Sequence, residues 1–170
     1  MFIMVNETAR ININNILERA IDIGQRMLVT GAEVTRVERT ITFICRAYGV
    51  RHVDVMAITT SIIVTLRGND IGVITQMRRV PGQNFDFQRL KALNQLSREI
   101  CANPIPSDEI KARIHAIDTM ETISLKASLF YWALIAASFS AFFGGRLEDA
   151  VCAGIVGVFL RLLQYLLGQT

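Results

Sequence analysis

Apolar side chains recur at Ile13, Ile16, Leu17, Ala20, Gly24, Met27 and Leu28, the three-and-four spacing of an amphipathic helix over residues 8–29. A second stripe, Val34, Val37, Ile41, Ile44, Cys45 and Tyr48, predicts a helix over 31–48 with Gly49 as its C-terminal cap. The period then changes. Residues 53–58 and 62–67 are β-branched runs, and the turn "GND" at 68–70 leads to a third run over 71–80. Pro81-Gly82 closes what reads as a three-stranded antiparallel meander. Helical spacing returns at Phe87, Leu90, Leu93, Leu96 and Ile100, and again at Ile110, Ile114 and Ile117. "NPIP" at 103–106 separates the two, and Ser107, Asp108 and Glu109 suit the start of the second. The order ααβββαα predicts an α+β layer with helices covering one face of the sheet.

The pattern beyond residue 122 is different. From Ala127 to Phe143 there is no charge, and Lys126 and Arg146 bracket the run. Seventeen to twenty-one residues at 1.5 Å each span about 25 to 31 Å, the hydrocarbon thickness of a bilayer. Tyr131 and Trp132 suit an interface. A second apolar run, 150–167, contains Arg161 and Gln164. A central arginine costs roughly 2.5–3.5 kcal/mol on insertion scales, which apolar neighbours can offset. Ala150, Gly154, Gly157, Arg161, Gln164 and Gly168 fall in steps of three and four, so they share one stripe. Small residues there admit a neighbouring helix, and Arg161 faces protein or a polar path. Ala133, Ala137, Ser140, Ala141 and Gly144 form a matching face on the first run. The two spans, about 124–143 and 149–167, are therefore expected to pack as a transmembrane hairpin through Gly144-Gly145. With the first part cytoplasmic, the loop "GGRLED" lies outside, and Arg146 and Asp149 mark the outer mouth.

Charge supports this division. Residues 1–122 hold fifteen of the eighteen Lys and Arg and thirteen of the fifteen Asp and Glu, so 1–122 reads as a soluble domain and 123–170 as the hairpin. A formal charge of +3, without a basic run, leaves no electrostatic footprint for nucleic acid. Cys45, Cys101 and Cys152 are odd in number and far apart, the mark of reduced cysteines in helices. His52 and His115 lack metal-ligand spacing, and Thr59, Thr60 and Ser61 read as a turn. No metal, cofactor or nucleophile-and-base motif is expected. The apolar start "MFIMV" has no basic flank and is too short for a secretory signal, which places the first domain in the cytoplasm.

The decapeptide "GAEVTRVERT" at 31–40 gathers four charges. Thr30 and Glu33 have the spacing of a capping box, with Val29 and Val34 as its hydrophobic staple. Arg36 and Arg39 fall on the solvated side. Glu38 borders the apolar face and needs a partner: an arginine from a neighbouring helix on a structural reading, or a substrate or proton on a functional one.

The block "GAEVTRVERTITFICRAYGVRHVDVMAITTSIIVTL" at 31–66, "RRV" at 78–80 and "FFGGRLEDA" at 142–150 resemble the N-terminal part of the threonine/serine exporter family (ThrE), its YjjP-like split members included. The resemblance implies a cytoplasmic α/β domain joined to several membrane helices in the inner membrane. It also implies export of small hydrophilic metabolites, threonine and serine in some members and succinate in split ones, driven by the proton gradient. Family members carry further spans after the one ending near Leu167, so the chain is expected to be a fragment or a truncated frame.

The site expectations come from the residues themselves. Arg161 and Gln164 would line the path and attract a substrate carboxylate, with Glu38 and Asp149 as further candidates. Gly144, Gly145, Gly154 and Gly157 would serve helix packing. Two helices enclose no path, so more helices from this chain or a partner subunit are implied, with lipid around them and a homo-oligomer as one arrangement. Two other readings are a succinate or dicarboxylate exporter subunit with a multi-span partner, and a membrane-anchored enzyme or regulatory domain centred on Glu38 and Thr60. A third is a soluble protein burying 127–167 in its core.

Overall fold

The computed structural model describes residues 7–121 and 123–167, with side-chain exposure from Arg10 onward. Gly168, the last member of the small-residue stripe, lies outside them. The elements are α1 (Glu7–Val29), α2 (Val34–Ala47), β1 (His52–Ile58), β2 (Ser61–Gly68), β3 (Gly72–Arg79), α3 (Phe87–Ala102), α4 (Ser107–Asp118), α5 (Leu125–Phe142) and α6 (Leu147–Leu166). The chain divides into two compact units, Met1–Met120 and Glu121–Thr170.

In the first unit the sheet is antiparallel in the order β1-β2-β3. Its register places Ala57 opposite Ile62, Val55 opposite Val64 and Leu66 opposite Ile74, so one face collects the β-branched and aliphatic side chains. That face is covered by helices: α1 packs on β2 and β3, α2 on β1. α1 is the central element and also meets α2, α3 and α4, which is why Leu17, Ile21, Ile23, Met27 and Leu28 are all fully buried. Gly24 permits the closest part of this packing, since a Cβ there would lie 2.6 Å from the Ile41 Cδ1 of α2. The opposite sheet face is open and less polar than a solvated face requires, with Met56, Ile63 and Met77 aligned across the three strands and exposed.

Polar contacts fix the helices on this core. Arg26 grips Asp118 through Nε and Nη2 at 2.8–2.9 Å, tying α1 to α4, and this hydrogen bonding raises the guanidinium pKa above its usual value. The Tyr48 hydroxyl donates to the Ile105 carbonyl and accepts from the Ile105 N–H, pinning the "NPIP" connection to the end of α2. The "RRV" block docks β3 on α1: Arg78 meets the buried Asp22 at 3.3 Å, and the Arg79 carbonyl accepts from Gln25. Asp22 also accepts from Arg19 at 2.8 Å.

The start of α2 differs from the capping-box expectation. Thr30, Gly31 and Ala32 finish α1 in a Schellman turn, with Ala32 N–H donating to Met27 O and Gly31 N–H to Leu28 O. Gly31 has φ +98°, a left-handed position that disfavours a side chain, and the Phe85 ring lies where its Cβ would go. The Thr30 hydroxyl is turned back onto the Arg26 and Met27 carbonyls. Glu33 is therefore the N-cap residue of α2, without a side-chain cap, and its carboxylate accepts from Thr35. The staple positions become Ala32 and Val37, both buried, in place of Val29 and Val34. A helix stop and a helix start share these four residues, and both favour small polar types. At α4 the N-cap is Pro106, with Ser107 inside the helix.

The second unit is the hairpin of α5 and α6. Gly144 repeats the Schellman geometry at φ +84°, with Gly145 N–H donating to Ser140 O, and turns the chain into α6. Both helices are long and apolar enough to cross a membrane.

Candidate functional site

The described residues of the hairpin build its contact from one stripe of α6. Gly154 and Gly157 are the buried residues of that helix, and Ala150, Arg161 and Gln164 on the same stripe are half-buried. Gly157 faces the Trp132 carbonyl and Ala136, while Gly154 faces Ala133 and Ala137. On α5, then, the contact face runs through Ala133, Ala136, Ala137 and Ser140; Ala141 and Gly144 are exposed, which corrects that part of the expected face. Gly145 lies against Ser140, where a Cβ would come within 2.6 Å of its hydroxyl.

Arg161 donates from Nε to the Ser128 hydroxyl at 2.8 Å. Ser128 is in the first turn of α5, and Arg161 lies about 21 Å along α6 from Leu147. The pair thus sits at the open end of the hairpin, within two turns of the α6 terminus, and not at its centre. A guanidinium there reaches the interface by its own length, so its insertion cost falls below the central figure. Among the described residues the two terminal guanidinium nitrogens have no hydrogen-bond or ion-pair partner. Arginine offers a planar fork that a carboxylate matches, and Ser128 holds the fork by its stem side. No sequence pattern had singled out Ser128.

Asp149 accepts from the Arg146 N–H at 2.8 Å, the acidic half of a capping box at the start of α6. That is a structural role for a carboxylate expected at the outer mouth, and it lies at the opposite end of the helix from Arg161.

In the first unit, Glu38 is half-buried and accepts from the Ala57 backbone N–H at 2.9 Å. Its partner is the free edge of β1, not the arginine of a neighbouring helix. Among the described residues β1 pairs with β2 alone, so Ala57, in a non-hydrogen-bonded pair, points its N–H outward, and Glu38 covers it. A groove of about 720 Å³ runs beside this contact, lined by Glu38, Arg39, Thr42, Phe43 and Arg46 of α2 and by Val53 to Met56 of β1. Its second carboxylate, Asp54, is paired with Arg67 at 3.3 Å. Thr59 and Thr60 form the β1–β2 turn.

Cys45, Cys101 and Cys152 are free and lie in α2, α3 and α6. Burial pushes the Cys45 thiol up to about 12. Among the described residues no group of three or more His, Cys, Asp or Glu could hold a metal ion.

A mixed α and β unit is followed by two apolar helices of membrane-spanning length, and α5 has no buried residue among those described. The chain matches the model of the family described as "Putative threonine/serine exporter" over residues 18–170, and it belongs to that family. No curated protein and no solved structure matches it. The family is one of transporters and not of enzymes.

Proposed function

We propose that the chain forms the cytoplasmic domain and first membrane hairpin of a proton-driven exporter of threonine, serine or a similarly small metabolite, in the inner membrane. Family membership and the two apolar helices support the transporter reading. The observation that carries the site is the Arg161–Ser128 pair. It occupies the end of the hairpin from which the chain continues to the first unit, so in this topology it lies on the cytoplasmic side, where an exported substrate enters. Hydrogen bonds to a charged group contribute about 1.5–3 kcal/mol each, and the Ser128 contact satisfies one donor of five. The remaining donors take a carboxylate, which threonine, serine and dicarboxylates share. Gln164, one turn on, adds a neutral polar group to the same stripe. Two helices enclose no path, so further helices, from the same polypeptide or a second one, complete it.

The test is export itself. In the complete transporter, Arg161→Leu abolishes release of threonine, serine or succinate from preloaded cells, while membrane insertion of the protein is unchanged; Arg161→Lys retains part of it. Undiminished release by the leucine variant refutes the assignment, and the substrate whose release is lost identifies the metabolite.

A further inference from the structure

The groove between α2 and α3 belongs to no part of the proposed transport path. It has a volume of about 530 Å³ and is lined by Arg36, Phe87, Leu90, Lys91 and Arg98, together with two amide side chains. Among the described residues three cations and no carboxylate line it. α3 carries a single acid, Glu99, and that is engaged by Arg113 at 2.8 Å and by Gln95. Arg36, Lys91 and Arg98 are exposed, and among the described residues none has an ion-pair partner. Phe87, which lines the groove, is 70% exposed, and Phe85, 68% exposed, has its ring centroid 6.4 Å from that of Phe87. Unbalanced cations beside aromatic rings in water are the composition of a surface that rests in a lipid headgroup layer.

Chain connectivity supplies a second argument. Only residues 119–124 join α4 to α5, a tether of at most about 25 Å. With α5 in the bilayer, the first unit is held at high effective concentration next to the headgroups. We infer that the α2–α3 groove docks the first unit on an anionic lipid surface, its three cations taking lipid phosphates and Phe85 and Phe87 entering the interface. This rests on the membrane reading of α5 and α6. Each cation near an anionic leaflet contributes roughly fivefold in binding, so the three together contribute about a hundredfold.

The full chain is reconstituted into nanodiscs of phosphatidylcholine, with or without phosphatidylglycerol, as the Phe87→Trp, Trp132→Phe variant, so that its one tryptophan reports on the groove. A blue-shifted emission quenched by brominated lipid is expected in anionic discs and absent in neutral ones. Both signals are lost in the R36E/K91E/R98E background, and they fade as salt rises from about 0.1 to 1 M and the Debye length falls from ~10 to ~3 Å. Failure of the chain to enter discs overturns the membrane reading. Entry with the same emission in both lipids, or quenching retained in the triple variant despite an unchanged melting curve, overturns the docking alone. A shift produced in neutral discs by adding ATP or inorganic phosphate also overturns it, and gives the groove to a soluble anion.

Discussion

Substituting alanine at Gly157 and at Gly154 tests the hairpin contact with an internal control. Both glycines lie within α6, so both substitutions gain the same helix propensity, up to about 1 kcal/mol. They differ in what the new methyl meets. At Gly154 it would sit 3.5 Å from the Ala133 carbonyl and 3.9 Å from Ala137 Cβ, ordinary van der Waals distances. At Gly157 it would come within 2.7 Å of the Trp132 carbonyl and 3.0 Å of Ala136 Cβ. The first of these is about 0.6 Å short of a normal C···O contact of ~3.3 Å, and backbone cannot rotate away as a side chain can. The helices must therefore separate locally, and overpacking of this kind costs about 1–3 kcal/mol. Gly154→Ala is expected to be neutral or stabilising, and Gly157→Ala less stable than it by about that 1–3 kcal/mol. The only tryptophan in the chain, Trp132, lies on α5 with its backbone carbonyl at this contact, so its emission reports on the hairpin in mixed detergent–SDS micelles without a signal from the first unit. Equal stability of the two variants would refute the packing.

Two further predictions concern the first unit. Glu38→Ala leaves the Ala57 N–H on the edge of β1 without its acceptor and lowers stability by about 1 kcal/mol, whereas Glu38→Gln keeps an acceptor oxygen and stays near wild type in urea unfolding; a glutamine variant as damaged as the alanine one would show that the charge, not the cap, is needed. Cys45, its thiol pushed up to about 12 by burial, stays unmodified by iodoacetamide at pH 8 while exposed Cys101 reacts. Because the unfolded thiol ionises near 9.0 and the folded one does not, Cys45 adds nothing to the pH dependence below pH 9 and lowers stability between about pH 9 and 12, by at most ~1.4 kcal/mol per unit; a Cys45→Ala variant with the same alkaline slope would contradict this.

Periodicity was sufficient to find the four helices and three strands of the first unit, because each buries one face of a regular element and must repeat with its geometry. α5 and α6 are set apart instead by their long apolar runs, interrupted in α6 by Arg161. The candidate site was legible in part. The stripe through Gly154, Gly157 and Arg161 is a matter of helical spacing alone, and spacing is written in the chain. Ser128 was not legible, since nothing local connects it to a residue thirty-three positions away. For Glu38, sequence showed that a partner was required; the partner is a backbone N–H, which every residue but proline carries and no pattern can single out.

By itself the sequence determined the order of elements, the division between a charged and an apolar part, and the side of α6 that meets another helix. Only tertiary structure decided that Thr30 and Gly31 close α1 and do not open α2, that Arg161 lies at the open end of the hairpin, and that Arg36 and Lys91 share a groove. The physical reason is range. Propensity and periodicity act over a turn or two of backbone, while capping between abutting helices, the depth of a charge and the meeting of two helix faces depend on where distant segments come to rest.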